Sequence, residues 1–207
     1  MVLDEIPFDE LSTSGYSTRV LVVDNGSTDG TADIALRRKA QVVVEPQRGK
    51  GMAVRRAFQE AEGDYVFMLD GDATYPATHI TEMVALLAGG CDVVTGSRLR
   101  GSRAPGSISA LNVVGNHLLT WLACLLYGRR ISDLCTGYWG FRAAVLPLLH
   151  LRSRGFNLEA ELFAEVVRNR LTLREVPIEY RRRPTPAKLR SLRDGVRIAR
   201  TLFTKRF

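Results

Sequence analysis

The chain has 207 residues, 45% of them hydrophobic and 25% charged, which is the size and balance of one globular domain with a sizeable core. Three scattered cysteines (Cys91, Cys124, Cys135) exclude a disulfide framework or a cysteine-built zinc site and fit a reducing compartment, and no basic leader opens the sequence. The net charge of +7 is unevenly divided: residues 1–95 hold 8 Lys+Arg against 15 Asp+Glu, and residues 96–207 hold 21 against 7, so the second half suits an anionic partner such as a phosphate, a membrane surface or nucleic acid.

Along the chain, Leu3, Ile6, Phe8 and Leu11 fall on one face of a short helix. Residues 18–23 read as a β-branched strand that runs into Asp24-Asn-Gly-Ser-Thr-Asp-Gly-Thr31, a turn able to cap a helix over residues 31–39. A second strand over 41–45 implies a parallel, right-handed crossover. Arg48-Gly-Lys-Gly51 is a glycine-basic loop opening a helix over 52–62. The apolar run 65–69 is a buried strand ending on Asp70-Gly-Asp72. A helix over 76–89 and a strand over 91–95 complete a run of βα units, read as an open, mostly parallel sheet.

The second half has a different texture. Residues 100–105 are a basic loop, and 109–127 form one long amphipathic helix, interrupted by Asn112, Asn116 and His117 and too short to span a bilayer. This helix is expected to pack into the core, the alternative being that it lies with the last helix at a membrane interface. Strands are expected over 138–142 and 173–180, helices over 143–150, 159–170 and 191–203, and a basic loop over 181–188.

Three predicted strands end in groups suited to a nucleotide: Asp24-Asn25, Arg48-Gly49 with Lys50, and Asp70-Gly-Asp72. In a parallel sheet these converge on one edge, where ligands of open α/β sheets bind. Carboxylates accept from base N–H groups or ribose hydroxyls, Arg48 and Lys50 neutralise phosphate, and a paired Asp70 and Asp72 suits a Mg²⁺ or Mn²⁺ ion holding a diphosphate. Each piece alone reads equally well as an ordinary turn or loop. The basic second half lacks a helix-turn-helix, a zinc finger or an aromatic stacking strip, which argues against nucleic acid.

The ordered set Val22-Val-Asp-Asn-Gly-Ser-Thr-Asp-Gly-Thr31, Arg48-Gly-Lys-Gly51, Asp70-Gly-Asp72, Thr95-Gly-Ser-Arg98, Asp133-Leu-Cys-Thr-Gly137 with Gly140-Phe-Arg142, Glu159-Ala-Glu161, and Glu175-Val-Pro-Ile178 with Arg183 and Lys188-Leu189 covers nearly the whole chain. It resembles the family 2 inverting glycosyltransferases, close to the polyprenyl-phosphate (dolichyl-phosphate) sugar synthases. The resemblance implies a glycosyltransferase-A type α/β fold in a single domain, residues 1–98 binding the nucleotide sugar and 99–207 the acceptor. It implies transfer of a hexose, with inversion and metal assistance, from a donor of the UDP-glucose or GDP-mannose class to a polyprenyl phosphate. Alternatives are a soluble or glycan acceptor, or an inactive nucleotide-sugar-binding module.

By the same resemblance, Asp24 contacts the base, Asp70 the ribose or metal, and Asp72 the metal. Asp133 sits at the place of an acceptor-side catalytic carboxylate, and Arg98, Arg142, Arg183 and Lys188 serve the acceptor phosphate or the leaving diphosphate. A cytoplasmic, membrane-peripheral location follows. Relatives also open with a strand and an Asn-Glu-Glu-like segment ahead of the region matching residues 2–7, so a first strand is expected to be missing here. Thr74 stands where Gln is common and Ala187 where Ser is usual, and the transmembrane region that many relatives carry after the catalytic part is not expected within these residues.

Overall fold

A computed structural model describes residues 2–184 and 191–206. Among the described residues six strands form: β1 (Leu21–Asp24), β2 (Gln41–Val44), β3 (Tyr65–Met68), β4 (Val93–Ser97), β5 (Trp139–Arg142) and β6 (Leu173–Pro177). The helices are α1 (Phe8–Thr13), α2 (Thr31–Arg37), α3 (Lys50–Glu60), α4 (Ile80–Ala88), α5 (Ala110–Tyr127), α6 (Leu158–Arg168) and α7 (Ser191–Arg206). Short 3₁₀ turns at Val2–Glu5, Ala77–His79 and Ala143–Leu148 complete the set; Pro147 lies within the last of these, where the sequence suggested a helix.

Two sheets form where one mostly parallel sheet is expected. β1 and β2 pair in parallel, Leu21 opposite Gln41 and Asp24 opposite Val44. The larger sheet runs β3-β5-β4-β6, with β5 antiparallel to both neighbours and β4 parallel to β6. β5 enters from the second half of the chain, and Gly140 allows this insertion: a Cβ there would lie 2.7 Å from the Phe67 ring. The pleat then sorts side chains between two cores. Val93, Trp139 and Phe141 face α3, α5, α6 and α7 with Leu162 and Phe163, while Val94, Tyr138 and Val176 face α4 with Met83 and Leu87.

α5 packs into the core on one face, as expected: Ala123 belongs to the core cluster, and Leu119, Leu122 and Leu126 pack against it. The residues it buries are Asn116, Thr120 and Ala123. Its Leu111, Val114, Leu118, Trp121 and Leu125 are exposed. Its inner face is thus mixed, with Asn116 and Thr120 set among apolar residues, while its outer face is a row of exposed apolar side chains.

The Gly-Lys-Gly stretch is explained by close backbone approach. Gly49 has φ +134°, and a Cβ on Gly49 or Gly51 would overlap the carbonyl oxygen of Arg154 or Ser153 respectively. The Gly51 N–H donates to the Arg154 carbonyl at 3.1 Å, joining the start of α3 to the 152–154 loop. Gly51→Ala is expected to cost about 1–3 kcal/mol by overpacking backbone against backbone. Gly115→Ala, in the middle of α5 with nothing within 4 Å of the added methyl, should be neutral or stabilise by up to about 1 kcal/mol. Urea denaturation of the two variants separates these outcomes.

Candidate functional site

The acidic pair leaves β3 on a tight loop. Ala73 holds φ +61°, a left-handed conformation uncommon for a residue with a Cβ. This turn sends Thr74 inward, where it is fully buried, and its N–H and Oγ1 donate to Asp72 Oδ1 at 3.1 and 2.5 Å. Thr74, standing where Gln is common among relatives, thus orients Asp72. The Arg183 guanidinium donates to the other oxygen of Asp72. Burial alone would raise the Asp72 pKa, but Thr74 and then Arg183 hold its carboxyl below the usual range.

Asp70 is held differently. Lys50 Nζ stands 2.7 Å from Asp70 Oδ1 and 2.6 Å from Glu159 Oε1. Burial works against the ammonium charge, yet Asp70 and then Glu159 keep Lys50 well above its usual pKa, while burial raises Glu159 in spite of Lys50. Gly137 lies against this pair, since a Cβ there would be 2.5 Å from Asp70 Oδ2 and 3.1 Å from Lys50 Nζ. The Gly137 N–H donates to Tyr75 Oη at 2.8 Å, and Tyr75 packs edge-on against Tyr138 and Tyr180.

Asn25, expected to meet the nucleotide, is occupied in organising the neighbouring loop. Its Nδ2 donates to the carbonyls of Glu45 and Gln47, both at 2.8 Å, and its Oδ1 accepts from the Gly49 N–H at 2.7 Å. Asp24 accepts from the Ser27 N–H at 3.0 Å. The exposed Arg48 lays its guanidinium beside Gly26, 3.5 Å from where a Cβ would stand. Asp24, Asn25, Arg48 and Gly49 are therefore one cluster at the carboxyl end of β1, joined through Lys50 to Asp70.

Asp133 is fully buried. It accepts from Arg98 through Nε (2.7 Å), Nη2 (2.7 Å) and the backbone N–H (3.0 Å), and from Asn116 Nδ2 at 2.6 Å. Burial opposes its charge most strongly, but Arg98 and Asn116 together hold the Asp133 carboxyl below the usual range. Arg98 in turn sits 5.2 Å above the Tyr180 ring, one aromatic layer behind the site. Asn116 Oδ1 and Thr120 Oγ1 accept from the backbone N–H groups of Cys135 (3.3 Å) and Leu134 (3.1 Å), so the polar face of α5 anchors the whole 133–137 segment.

Arg142 must be withdrawn from the expected set. Its Cα pairs with Tyr65 at the start of β3, the opposite end of the sheet from Asp70, and its side chain is half exposed near Asp92 at 3.8 Å. An antiparallel β5 makes this unavoidable. Lys188 lies outside the described residues. Glu159, Tyr75, Tyr180 and Asn116 were missed as site residues. The available signals were acids on the otherwise apolar stretch 158–166, and Asn116 with Thr120 one turn apart in a leucine-rich helix.

A family model, Glycosyl transferase family 2, matches residues 9–147. The chain is 39% identical over 179 residues to glycosyltransferase AglJ of Haloferax volcanii, covering 85% of this chain and 59% of AglJ, and thus spans under two thirds of that relative. It is 31% identical over 183 residues to a dolichyl-phosphate hexose transferase of the same organism, covering 88% of this chain and 78% of the relative. Among solved structures, glucosyl-3-phosphoglycerate synthase of Mycobacterium tuberculosis, in complex with Mn²⁺, uridine-diphosphate-glucose and phosphoglyceric acid, superposes with a TM-score of 0.72 at 20% identity, covering 96% of this chain and 73% of that one. The chain belongs to glycosyl transferase family 2 and has the glycosyltransferase-A type fold.

The buried Arg98–Asp133 pair predicts an acid-sensitive core. Because Asp133 is depressed in the folded state, its stabilisation is present above the unfolded carboxylate pKa of about 4 and is lost as pH falls through the lower folded value. Asp133→Asn should cost about 3–5 kcal/mol near neutral pH by leaving Arg98 buried without a counter-charge. It should also flatten the loss of stability as pH falls below the unfolded carboxylate pKa of about 4. Denaturant midpoints across that range measure both.

Proposed function

We propose that this family member transfers a hexose from a nucleoside-diphosphate sugar to a polyprenyl phosphate, with inversion and with help from a divalent cation. The observation carrying this reading is the pair Asp70 and Asp72 at the end of β3, each carboxylate already held by a cation, Lys50 or Arg183. The named relatives that include a dolichyl-phosphate hexose transferase support the acceptor class. The solved complexes with uridine-diphosphate-glucose and Mn²⁺ are consistent with the donor and the metal.

The residues present fit Mg²⁺ or Mn²⁺. Asp70 and Asp72 are hard oxygen donors two residues apart, and Thr74 and Lys50 fix their orientation. Among the described residues no group of three or more His, Cys, Asp or Glu side chains could hold a metal. That suits an ion held by one or two carboxylates and completed by substrate phosphates. Three carboxylates (Asp70, Asp72, Glu159) face two cations (Lys50, Arg183) before an anionic diphosphate arrives, which favours a further positive charge. Such an ion supplies neutralisation of the leaving diphosphate.

The chain's own residues then divide the work. Asp24 and Arg48 border the base and ribose side, and the Asn25–Gly49 contacts keep that rim in shape. An oxygen of the acceptor phosphate forms a bond to the anomeric carbon as the bond from that carbon to the diphosphate breaks on the opposite face. The configuration inverts, and the nucleoside diphosphate leaves with the electron pair. A phosphomonoester has a second pKa of about 6 and is largely ionised at neutral pH, so no strong general base is required. Asp133 is accordingly a positioning residue for Arg98 and the 133–137 segment. Arg183, the basic residue touching Asp72, is the first candidate to move onto the departing diphosphate. Residues 1–98 supply the donor rim and residues 99–207 the acceptor side of one domain. Free Cys91, Cys124 and Cys135 support a reducing, cytoplasmic side of the membrane.

Incubation with a panel of labelled nucleotide sugars and a short-chain polyprenyl phosphate should move label into the organic phase. Label that instead stays in water with a soluble acceptor would replace the lipid reading. Chelation by EDTA should abolish transfer and Mn²⁺ or Mg²⁺ restore it. Asp72→Asn should lower the rate on the order of 10²-fold or more; wild-type turnover in this variant would remove Asp72 from the metal site.

A further inference from the structure

Helix α5 leaves Leu111, Val114, Leu118, Trp121 and Leu125 between 56% and 65% exposed. Their spacing of three and four residues confines them to one narrow stripe about 20 Å long, at 1.5 Å per residue. Helix α7 packs beside α5, where Tyr127 Oη donates to the Leu202 carbonyl at 2.8 Å. It too carries an exposed apolar stripe, Leu192, Val196 and Phe203, bordered by Arg193, Arg197 and Arg200. Apolar rows of this kind on two neighbouring helices exceed the scattered exposure normal for a soluble surface.

The charge around the stripes selects their occupant. Arg197 and Arg200 line an open hollow of about 490 Å³ together with Arg154, Asn157, Thr201 and Thr204. Among the described residues, the ion pairs include no carboxylate partner for Arg154 or Arg200, and Arg197 has only Asp194 at 3.8 Å. Arg129 and Arg130 follow directly after α5. A second copy of this chain meeting the face symmetrically would set these arginines against each other, whereas an anionic lipid surface complements them. Trp121 within the stripe has the amphipathic ring suited to the headgroup level.

We infer that the α5–α7 face docks onto the surface of an anionic lipid bilayer, with the α5 stripe at the acyl boundary and the α7 arginines at the headgroup phosphates. Against the expectation that it is too short to span a bilayer, α5 is long and apolar enough, by length and composition, to cross a membrane. It lies in the plane instead, because Asn116 and Thr120 are bonded to Asp133 and to the backbone of Leu134 and Cys135, and removing them into hydrocarbon would leave buried polar groups unpaired. Docking does not depend on which acceptor the enzyme uses. Its consequence for the acceptor does rest on the lipid-phosphate reading: the docked helix is bonded on its inner face to Asp133, which holds Arg98.

The test is co-flotation of the whole chain with vesicles, without donor or acceptor, so that it stands or falls separately from transfer activity. Vesicles of phosphatidylcholine with 30% phosphatidylglycerol are compared with pure phosphatidylcholine. Binding to the anionic vesicles is expected at least tenfold tighter. A blue shift of tryptophan emission should come from Trp121, because Trp139 is already fully buried. Leu118→Asp should weaken binding at least tenfold while circular dichroism stays unchanged. The double variant Arg197→Glu, Arg200→Glu should erase the preference for anionic vesicles. Three results overturn the inference: no flotation of the wild type, undiminished flotation of Leu118→Asp, or a dimer by light scattering that Leu118→Asp converts to monomer.

Discussion

The ammonium of Lys50 between Asp70 and Glu159 is the contact on which the rest of the site depends. It joins three elements distant in sequence: the start of α3, the loop after β3 and the first turn of α6. Desolvation of the three groups opposes the arrangement, and only their mutual proximity offsets it. The steric conditions for that proximity are met by glycines. Gly137 lets a backbone lie against Asp70 and Lys50, and Gly49 and Gly51 let α3 begin against the 153–154 backbone. Glu161, two residues on and on the opposite face of α6 from Glu159, accepts from the N–H groups of Arg152 and Ser153 and pairs with Lys205 of α7 at 2.9 Å. One short run of α6 therefore holds both the charged centre of the site and the loop on which it is built.

The same economy appears around Asp133. Asp133 is enclosed by Arg98 and Asn116, and the 134–135 backbone by Asn116 and Thr120. α5 is apolar on nearly every side, so Leu119, Leu122 and Leu126 pack inward beside Asn116 and Thr120 while a second apolar row is left outside. That row places an apolar surface directly behind the residues that fix Arg98. The proposed lipid contact and the proposed acceptor site share one helix, inner face against outer.

Particular elements show how far local sequence carries. The strand ending at Asp70 and the Asp24 turn were legible because β-branched and apolar runs stop abruptly at Gly and Asp. Asp72 is visible in the sequence as a carboxylate just past a strand end, but Thr74 as its orienter is not, since that depends on a left-handed Ala73 that no propensity favours. Arg142 was misplaced because a strand's direction within a sheet is not written in its own residues. Once β5 runs antiparallel between β3 and β4, its last residue lies at the far end from the site. Asn25 was assigned to the ligand when its amide in fact ties the 45–49 loop, a partnership twenty residues and more away in sequence.

By itself the sequence determined the αβ alternation, the positions of the carboxylates at strand ends, the basic second half and the family, because each is a property of short segments or of their order. The tertiary structure alone decided the split into two sheets, the direction of β5, the cations that hold Asp70 and Asp72, and the outward turn of the α5 leucines. These are set by pairings between residues tens of positions apart, where the desolvation of charge and the backbone's need for partners choose among arrangements that local pattern leaves equal.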